Sequence, residues 1–337
     1  MQKDYIKFFK KASILTVPVL GFVLLYMYLD PFKVIKHYNS YFRSGYPTYV
    51  CMNKDFVSTQ TFINNYETYK YDAFILGNSR SMFYQVGTWK KYIHSDNCFH
   101  FDASGETLIG INRKIKFLDK TKVKLSNVII ILDSPLLGSI QESQLHLFSS
   151  HPALSDNNWF AFELKYFKAF MSPDFLAAYI DFKISNQVKP YMVDNCLLDD
   201  KPFDYLLKYN EVQFNLYENL IKSNNYYTEK RMKPFYSRPA VQRYSHEVIK
   251  ETQLQMLQEI ADILKKNNTN YRIIVNPLYD QIKLNQTDKA ILDSMFGQKN
   301  VFDFSGINSI TKDYHNYYEN SHYRPRIADS IMGVIYK

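Results

Sequence analysis

Three side chains at opposite ends of the chain could together perform acyl transfer. Ser79 lies in Gly77-Asn78-Ser79-Arg80-Ser81, directly after the apolar run Ala73–Leu76, while Glu319 and His322 lie in Glu319-Asn320-Ser321-His322 near the C-terminus. A serine hydroxyl is a poor nucleophile until an oriented base takes its proton, so a hydroxyl, an imidazole and a carboxylate are the set that this chemistry needs. Ser79 falls at an expected strand-to-helix turn, where a side chain stands exposed and backbone N–H groups point at bound oxygen. The spacing is not the lipase Gly-x-Ser-x-Gly, because position 81 is serine, and Gly-x-Ser alone is common in turns. Pro325 suits the first position of a helix, which places Glu319 and His322 in the loop leading into it. In such a loop the carboxylate can accept from one imidazole nitrogen and leave the other free as a base.

For residues so distant in sequence to meet, the chain between them must bring several turns to one edge of a sheet. Short apolar runs occur at Ala73–Leu76, Cys98–Phe101, Val128–Leu132, Tyr271–Val275 and Val301–Phe304. Helix-like stretches occur near Leu108–Leu118, His246–Leu264 and Asp288–Met295. This alternation predicts an α/β fold with a parallel sheet covered on both faces and with ligands outside the carboxyl ends of the strands. Gly77, Gly105 and Asp133 all fall just past such ends. Between about 136 and 245 the alternation gives way to aromatic, helix-like segments such as Trp159–Met171 and Phe203–Ile221, read as an inserted helical subdomain or cap. The expected organisation is a tail and anchor over 1–30, an aromatic connector with short helices over 31–71, and a domain over 72–337 that carries the insertion.

These motifs resemble those of a known family. Gly77-Asn78-Ser79-Arg80-Ser81 after an apolar strand resembles the first block of the SGNH (GDSL-like) hydrolases. Phe101-Asp102-Ala103-Ser104-Gly105-Glu106-Thr107 resembles the second block, whose glycine lends a backbone N–H to the oxyanion hole. Glu319-Asn320-Ser321-His322-Tyr323-Arg324-Pro325 resembles the last block, usually Asp-x-x-His. The likeness covers about residues 72–337 and is nearest to the membrane-anchored branch that transfers acyl groups to envelope polymers. It is similar to the alginate O-acetylation proteins and the teichoic-acid D-alanylation factor, which commonly work with a multi-span membrane O-acyltransferase. The resemblance implies a flavodoxin-like three-layer α/β/α fold and a serine esterase or acyltransferase without metal or cofactor. It also implies roles: Ser79 attacks, His322 shuttles the proton, Glu319 orients the imidazole, and the N–H groups of Ser79 and Gly105 hold the oxyanion.

Two positions depart from that pattern. Glu319 stands where Asp is usual, and its extra methylene still reaches an imidazole nitrogen. The third-block Asn, which donates to the oxyanion, has no clear equivalent; the nearest residue is Asp133, and an ionised carboxylate cannot donate. Losing one such donor typically costs about 3 kcal/mol of transition-state stabilisation, for which Asn78 or another amide is the candidate substitute. Arg80 follows the serine and Arg324 follows the histidine by two, where guanidinium groups suit an anionic polymer or a carboxylate-bearing sugar. The competing reading is a salt bridge to Asp102 or Asp133 that holds the loops. Asn78, Arg80, Asp133 and Arg324 are therefore the candidate substrate contacts. His246 follows Ser245, a good N-cap, and reads as a helix start with no catalytic role.

Composition bounds the remaining choices. The 337 residues are 46% hydrophobic and 17% aromatic, which supports a packed core and excludes a disordered chain. The net charge of +8 is scattered, and no helix-turn-helix, zinc-finger or RNA-binding signature accompanies it, so no nucleic-acid partner is expected. Four lysines (3, 7, 10 and 11) precede the uncharged run 12–29, which is just long enough to cross a hydrocarbon core as a helix. Bulky residues at 26–29 offer no signal-peptide cleavage site. The expectation is a single-pass anchor with a cytoplasmic N-terminus and a periplasmic or extracellular domain; the competing reading is a buried helix of a soluble protein. Cys51, Cys98 and Cys196 lack metal or C-x-x-C spacing, and the first two could pair in an oxidising compartment. The functional expectation is a membrane-anchored serine esterase or O-acyltransferase acting on acyl, foremost acetyl, groups of an envelope polysaccharide or an acylated small-molecule donor. The alternative is an inactive scaffold of the same fold that binds glycan or a membrane O-acyltransferase.

Overall fold

Short, largely apolar runs whose side chains point both ways are buried where both faces of a sheet are covered. A computed structural model, which describes residues 2–155, 158–194 and 197–337, places five of them in one parallel sheet. The strands are β1 (Ala73–Leu76), β2 (Cys98–His100), β3 (Asn127–Leu132), β4 (Asn270–Val275) and β5 (Val301–Asp303). Their spatial order is β2-β1-β3-β4-β5, with Ala73 opposite both Cys98 and Asn127. That is the flavodoxin-like doubly wound order, whose direction of winding reverses between β1 and β3.

Alternate side chains divide between the two faces, as the pleat requires. Phe74, Leu76, Val128, Ile130 and Leu132 pack under α2 (Lys54–Tyr69), α4 (Leu108–Lys120), α8 (Glu251–Lys266) and α9 (Gln286–Phe296). Ala73, Ile75, Ile129 and Ile131 pack under α3 (Val86–Ile93) and α10 (Pro325–Ile335). Three layers, α/β/α, result. A separate aromatic cluster joins the end of α1 (Gln2–Leu29) and residues Phe32, Tyr41 and Phe56 to α5 (Trp159–Phe170) and α6 (Pro173–Ser185).

Three expectations change. Among the described residues no helix is long and apolar enough to cross a membrane, and the side chains of Ala12 and Leu15, in the expected span 12–29, lie outside the described ones. The end of α1 packs onto α5. Tyr26 is buried against Phe167 and Phe170, and its hydroxyl donates to Glu163 Oε2 at 3.0 Å. Second, Phe203–Ile221 is not one helix: Asp204–Leu206 and Glu211–Gln213 form an antiparallel hairpin, and α7 (Asn215–Lys222) follows. Asn210 takes a left-handed turn (φ 52°) there, and its amide donates to the His100 carbonyl at 2.7 Å. Third, Ser245 caps no helix. The Val248 and Ile249 N–H groups donate to the Asp288 carboxylate, so the backbone stays extended and α8 begins at Glu251. Among the described residues no disulfide joins Cys51 to Cys98, and Cys196 lies outside them.

Candidate active site

Ser79 opens a short 3-10 turn directly after β1, at the edge of the reversal point where a doubly wound sheet leaves a crevice. Gly77 makes the approach possible. Its φ is +154°, and a Cβ there would stand 2.9 Å from the Ile131 carbonyl oxygen of the neighbouring strand. Asn78 caps the turn, its Oδ1 accepting from the Arg80 N–H at 3.1 Å.

The C-terminal segment comes back to this turn through its tyrosines. Tyr317 pairs with Tyr323 in an antiparallel bridge, and the Tyr318 N–H donates to the His322 carbonyl at 2.9 Å, closing 318–322 into a loop. The Tyr317 hydroxyl donates to the Pro277 carbonyl and the Tyr323 hydroxyl to Asn276 Oδ1, each at 2.8 Å, which fixes the loop over the end of β4. His322 Nε2 then lies 2.8 Å from Ser79 Oγ, and Nδ1 is hydrogen-bonded to Glu319 Oε1. The other Glu319 oxygen accepts from the Ser321 N–H at 2.7 Å. With Nδ1 donating to the carboxylate, Nε2 is the acceptor for the serine proton. The Phe83 ring packs edge-on against the imidazole, with centroids 5.8 Å apart. Burial acts to raise the Glu319 carboxyl, but the hydrogen bond and charge of His322 outweigh it and hold the group below its ordinary range.

The second motif is laced to the end of β1, since Phe101 N–H donates to the Ile75 carbonyl at 2.8 Å and Ala103 N–H to the Gly77 carbonyl at 3.2 Å. Gly105 adopts φ +62°, with a Phe148 ring carbon 3.1 Å from where its Cβ would be. Among the described residues, neither the Ser79 nor the Gly105 N–H donates to a protein acceptor. Beneath this loop lies a buried ionic cluster that spacing alone gave no reason to expect. Lys114, fully buried on α4, lies 2.7 Å from Asp55 Oδ1 and 2.5 Å from Glu106 Oε2, and the Ser58 hydroxyl donates to the Asp102 carbonyl at 2.9 Å.

No family model and no curated protein matches this chain. The SGNH resemblance therefore rests on residues 77–81, 101–107 and 319–325 and on how the fold arranges them.

The four expected substrate contacts are all engaged within the protein. Asp133, buried after β3, accepts from Asn78 Nδ2 at 2.7 Å, Arg80 Nη1 at 2.9 Å and the Leu136 N–H at 3.0 Å. Arg80 also donates from Nε to the Ser321 carbonyl at 2.9 Å and from Nη2 to Ser321 Oγ at 3.2 Å. It thus ties the serine turn to the histidine loop and to β3 at once. Arg324 turns away and meets Glu218 of α7, with Nη2 to Oε2 at 2.6 Å. Asp102 is not a partner of Arg80; one of its oxygens lies 3.8 Å from Lys54 Nζ. Asn276 is a further member, fully buried just past β4, with Nδ2 3.5 Å from Asp133 Oδ2. Its only sequence signal was its place at the end of an apolar run.

Proposed function

We propose that this chain is a serine esterase or O-acyltransferase of the SGNH type, acting on acyl groups, foremost acetyl, of an envelope polysaccharide through Ser79, His322 and Glu319. The observation that carries the reading is the continuous contact from Ser79 Oγ through both imidazole nitrogens to a carboxylate, assembled from segments 243 residues apart. Ser79 Oγ attacks the acyl carbonyl while His322 Nε2 takes its proton, and Glu319 stabilises the imidazolium. The Ser79 and Gly105 N–H groups receive the oxyanion. His322 returns the proton to the departing alcohol or thiol, leaving an acyl-serine. A sugar hydroxyl or water then attacks that ester, gives its proton to His322, and frees the hydroxyl of Ser79. A multi-span O-acyltransferase is the proposed source of acyl groups. The exposed apolar side chains of α1, among them Ile14, Val17, Leu20 and Leu24, suit contact with a membrane or with such a partner.

One observation favours the scaffold alternative: Asp133 stands where the family pattern has an amide donor, and the nearby Asn78 amide is already spent on it. The test is covalent labelling of Ser79 by a fluorophosphonate together with acetyl-ester hydrolysis by wild type and Ser79→Ala. Labelling at Ser79 and loss of turnover in the variant are expected. No labelling, or undiminished hydrolysis by Ser79→Ala, overturns the reading.

A further inference from the structure

Past the ends of β3 and β4, the same sheet edge carries a cleft that the chemistry above does not use. It measures about 410 Å³, inside the range of about 300–1,000 Å³ typical of small-molecule sites. It is lined by Asp133, Ser134 and Pro135 past β3, by Asn276 past β4, by the segment 243–246 and by Asp280. β3 and β4 are the first and second neighbours of β1, so the cleft begins roughly 5–10 Å along the sheet edge from the strand that carries Ser79. Asp133 is common to both places, since it lines the cleft and holds Arg80 of the serine turn.

The wall at 243–246 is rigid in its backbone and open in its side chains. Arg243 and Tyr244 pair in parallel with Ile282 and Lys283, and the Ser245 N–H donates to the Lys283 carbonyl at 2.8 Å. Asp288 keeps the next residues out of the helix that their sequence suggests. Yet among the described residues the side chains of Arg243, Tyr244 and His246 make no hydrogen bond and no ion pair, and all three are exposed. Across the sheet edge the other polar groups are engaged: Asp133 by Asn78 and Arg80, and Asp280 by the Ile282 N–H at 2.9 Å.

We propose that this cleft is a glycan subsite that holds an acidic sugar unit beside the one whose acyl group Ser79 handles. The inference rests on the acyl-transfer reading for what lies next to it, not for binding in the cleft itself. An unpaired guanidinium matches a carboxylate or phosphate bidentately, which a neutral sugar does not offer. The Tyr244 ring supplies an apolar face with a polar tip, suited to the C–H face and hydroxyls of a pyranose. Asp280, also in the lining, can accept from sugar hydroxyls. The segment therefore meets an acidic polyol with one cation, one ring and one acceptor.

The test is calorimetric titration of the full-length Ser79→Ala protein with three probes: hexagalacturonate, phosphate-substituted maltohexaose and plain maltohexaose. Ser79→Ala cannot turn over, so binding is read without chemistry. At least one acidic probe is expected to bind tenfold or more tightly than the neutral one, and the better of the two distinguishes carboxylate from phosphate. Adding Arg243→Ala is expected to remove that advantage, while Tyr244→Ala weakens all three probes. Equal affinity for acidic and neutral probes, no binding of any probe at millimolar concentration, or full affinity in Arg243→Ala overturns the proposal. Those outcomes are independent of whether Ser79 is labelled, so failure of the subsite and failure of the triad are distinguishable.

Discussion

Glu319→Gln tests the orienting carboxylate of the proposed chemistry directly, because the two oxygens of Glu319 serve two donors. Oε1 accepts from His322 Nδ1, and Oε2 accepts from the Ser321 N–H at 2.7 Å. Glutamine offers one oxygen and one NH₂. If the oxygen faces Nδ1, the NH₂ is pressed against the Ser321 N–H at a separation that suits only a donor and an acceptor. If the amide is reversed, the NH₂ donates to Nδ1 and the ring proton moves to Nε2, the nitrogen that must receive the proton of Ser79. The second arrangement satisfies every hydrogen bond and disables the base. In a Ser-His-carboxylate triad the wrong tautomer costs about 10⁴-fold in kcat, or about 5.4 kcal/mol of barrier. The assay is kcat/KM for hydrolysis of a small acetyl ester by wild type, Glu319→Gln and Glu319→Asp, with circular dichroism to confirm folding. The Gln variant is expected to fall about 10³- to 10⁴-fold. The Asp variant keeps both oxygens at a shorter reach and should fall about 10²-fold or less, as for a displaced group. A Gln variant within about tenfold of wild type would refute the role assigned to Glu319.

Other expectations follow from the same contacts. A carboxyl depressed in the folded state contributes stability that is fully present above its ordinary value of about 4.3 and is lost as pH falls through its lower folded value. The gap in urea midpoint between wild type and Glu319→Gln should therefore hold steady above about pH 5 and shrink on acidification; a gap that widens below about pH 4 contradicts the pairing with His322. Lys114→Met leaves Asp55 and Glu106 buried without their cation and should lower unfolding stability by about 3–5 kcal/mol in urea titration, against a loss under about 1 kcal/mol if the cluster is well solvated. Asp133→Asn sets an NH₂ either against Asn78 Nδ2 and Arg80 Nη1 or against the Leu136 N–H, so it should cost about 1–3 kcal/mol of stability and give no rise in kcat; a faster enzyme would mean that the amide reaches the oxyanion. Arg324→Ala should reduce stability through loss of Glu218 and leave KM for an anionic glycan unchanged, whereas a raised KM would place Arg324 at the substrate.

The five strands were legible because each is an apolar run with a polar or glycine stop, and burial on both faces leaves few other structures for such runs. Helix 108–120 was legible for the same reason, with Thr107 at its start accepting from the Gly110 N–H. The start of the helix expected from His246 was not, since the helix begins at Glu251. Its residues have helical periodicity, but the Asp288 carboxylate, 39 residues away, takes the N–H groups that would have entered the first turn. The hairpin at 204–213 escaped notice because Tyr205 and Val212 face each other only once Asn210 has reversed the chain.

Sequence by itself determined the residue types for acyl transfer, their order, and their places just past strands or before a helix, because hydroxyl, imidazole and carboxylate can be recognised one at a time. What each of the arginines and acids does was decided by tertiary structure. Arg80 and Arg324 are both guanidinium groups beside a motif, but one finds Asp133 and Ser321 within reach and the other finds Glu218. Charge pairing in a buried setting depends on distance and on desolvation, and neither is set by neighbours along the chain. The same holds for the free Arg243, whose availability is a property of the strand pairing that holds its backbone and of the acids that other groups have already taken.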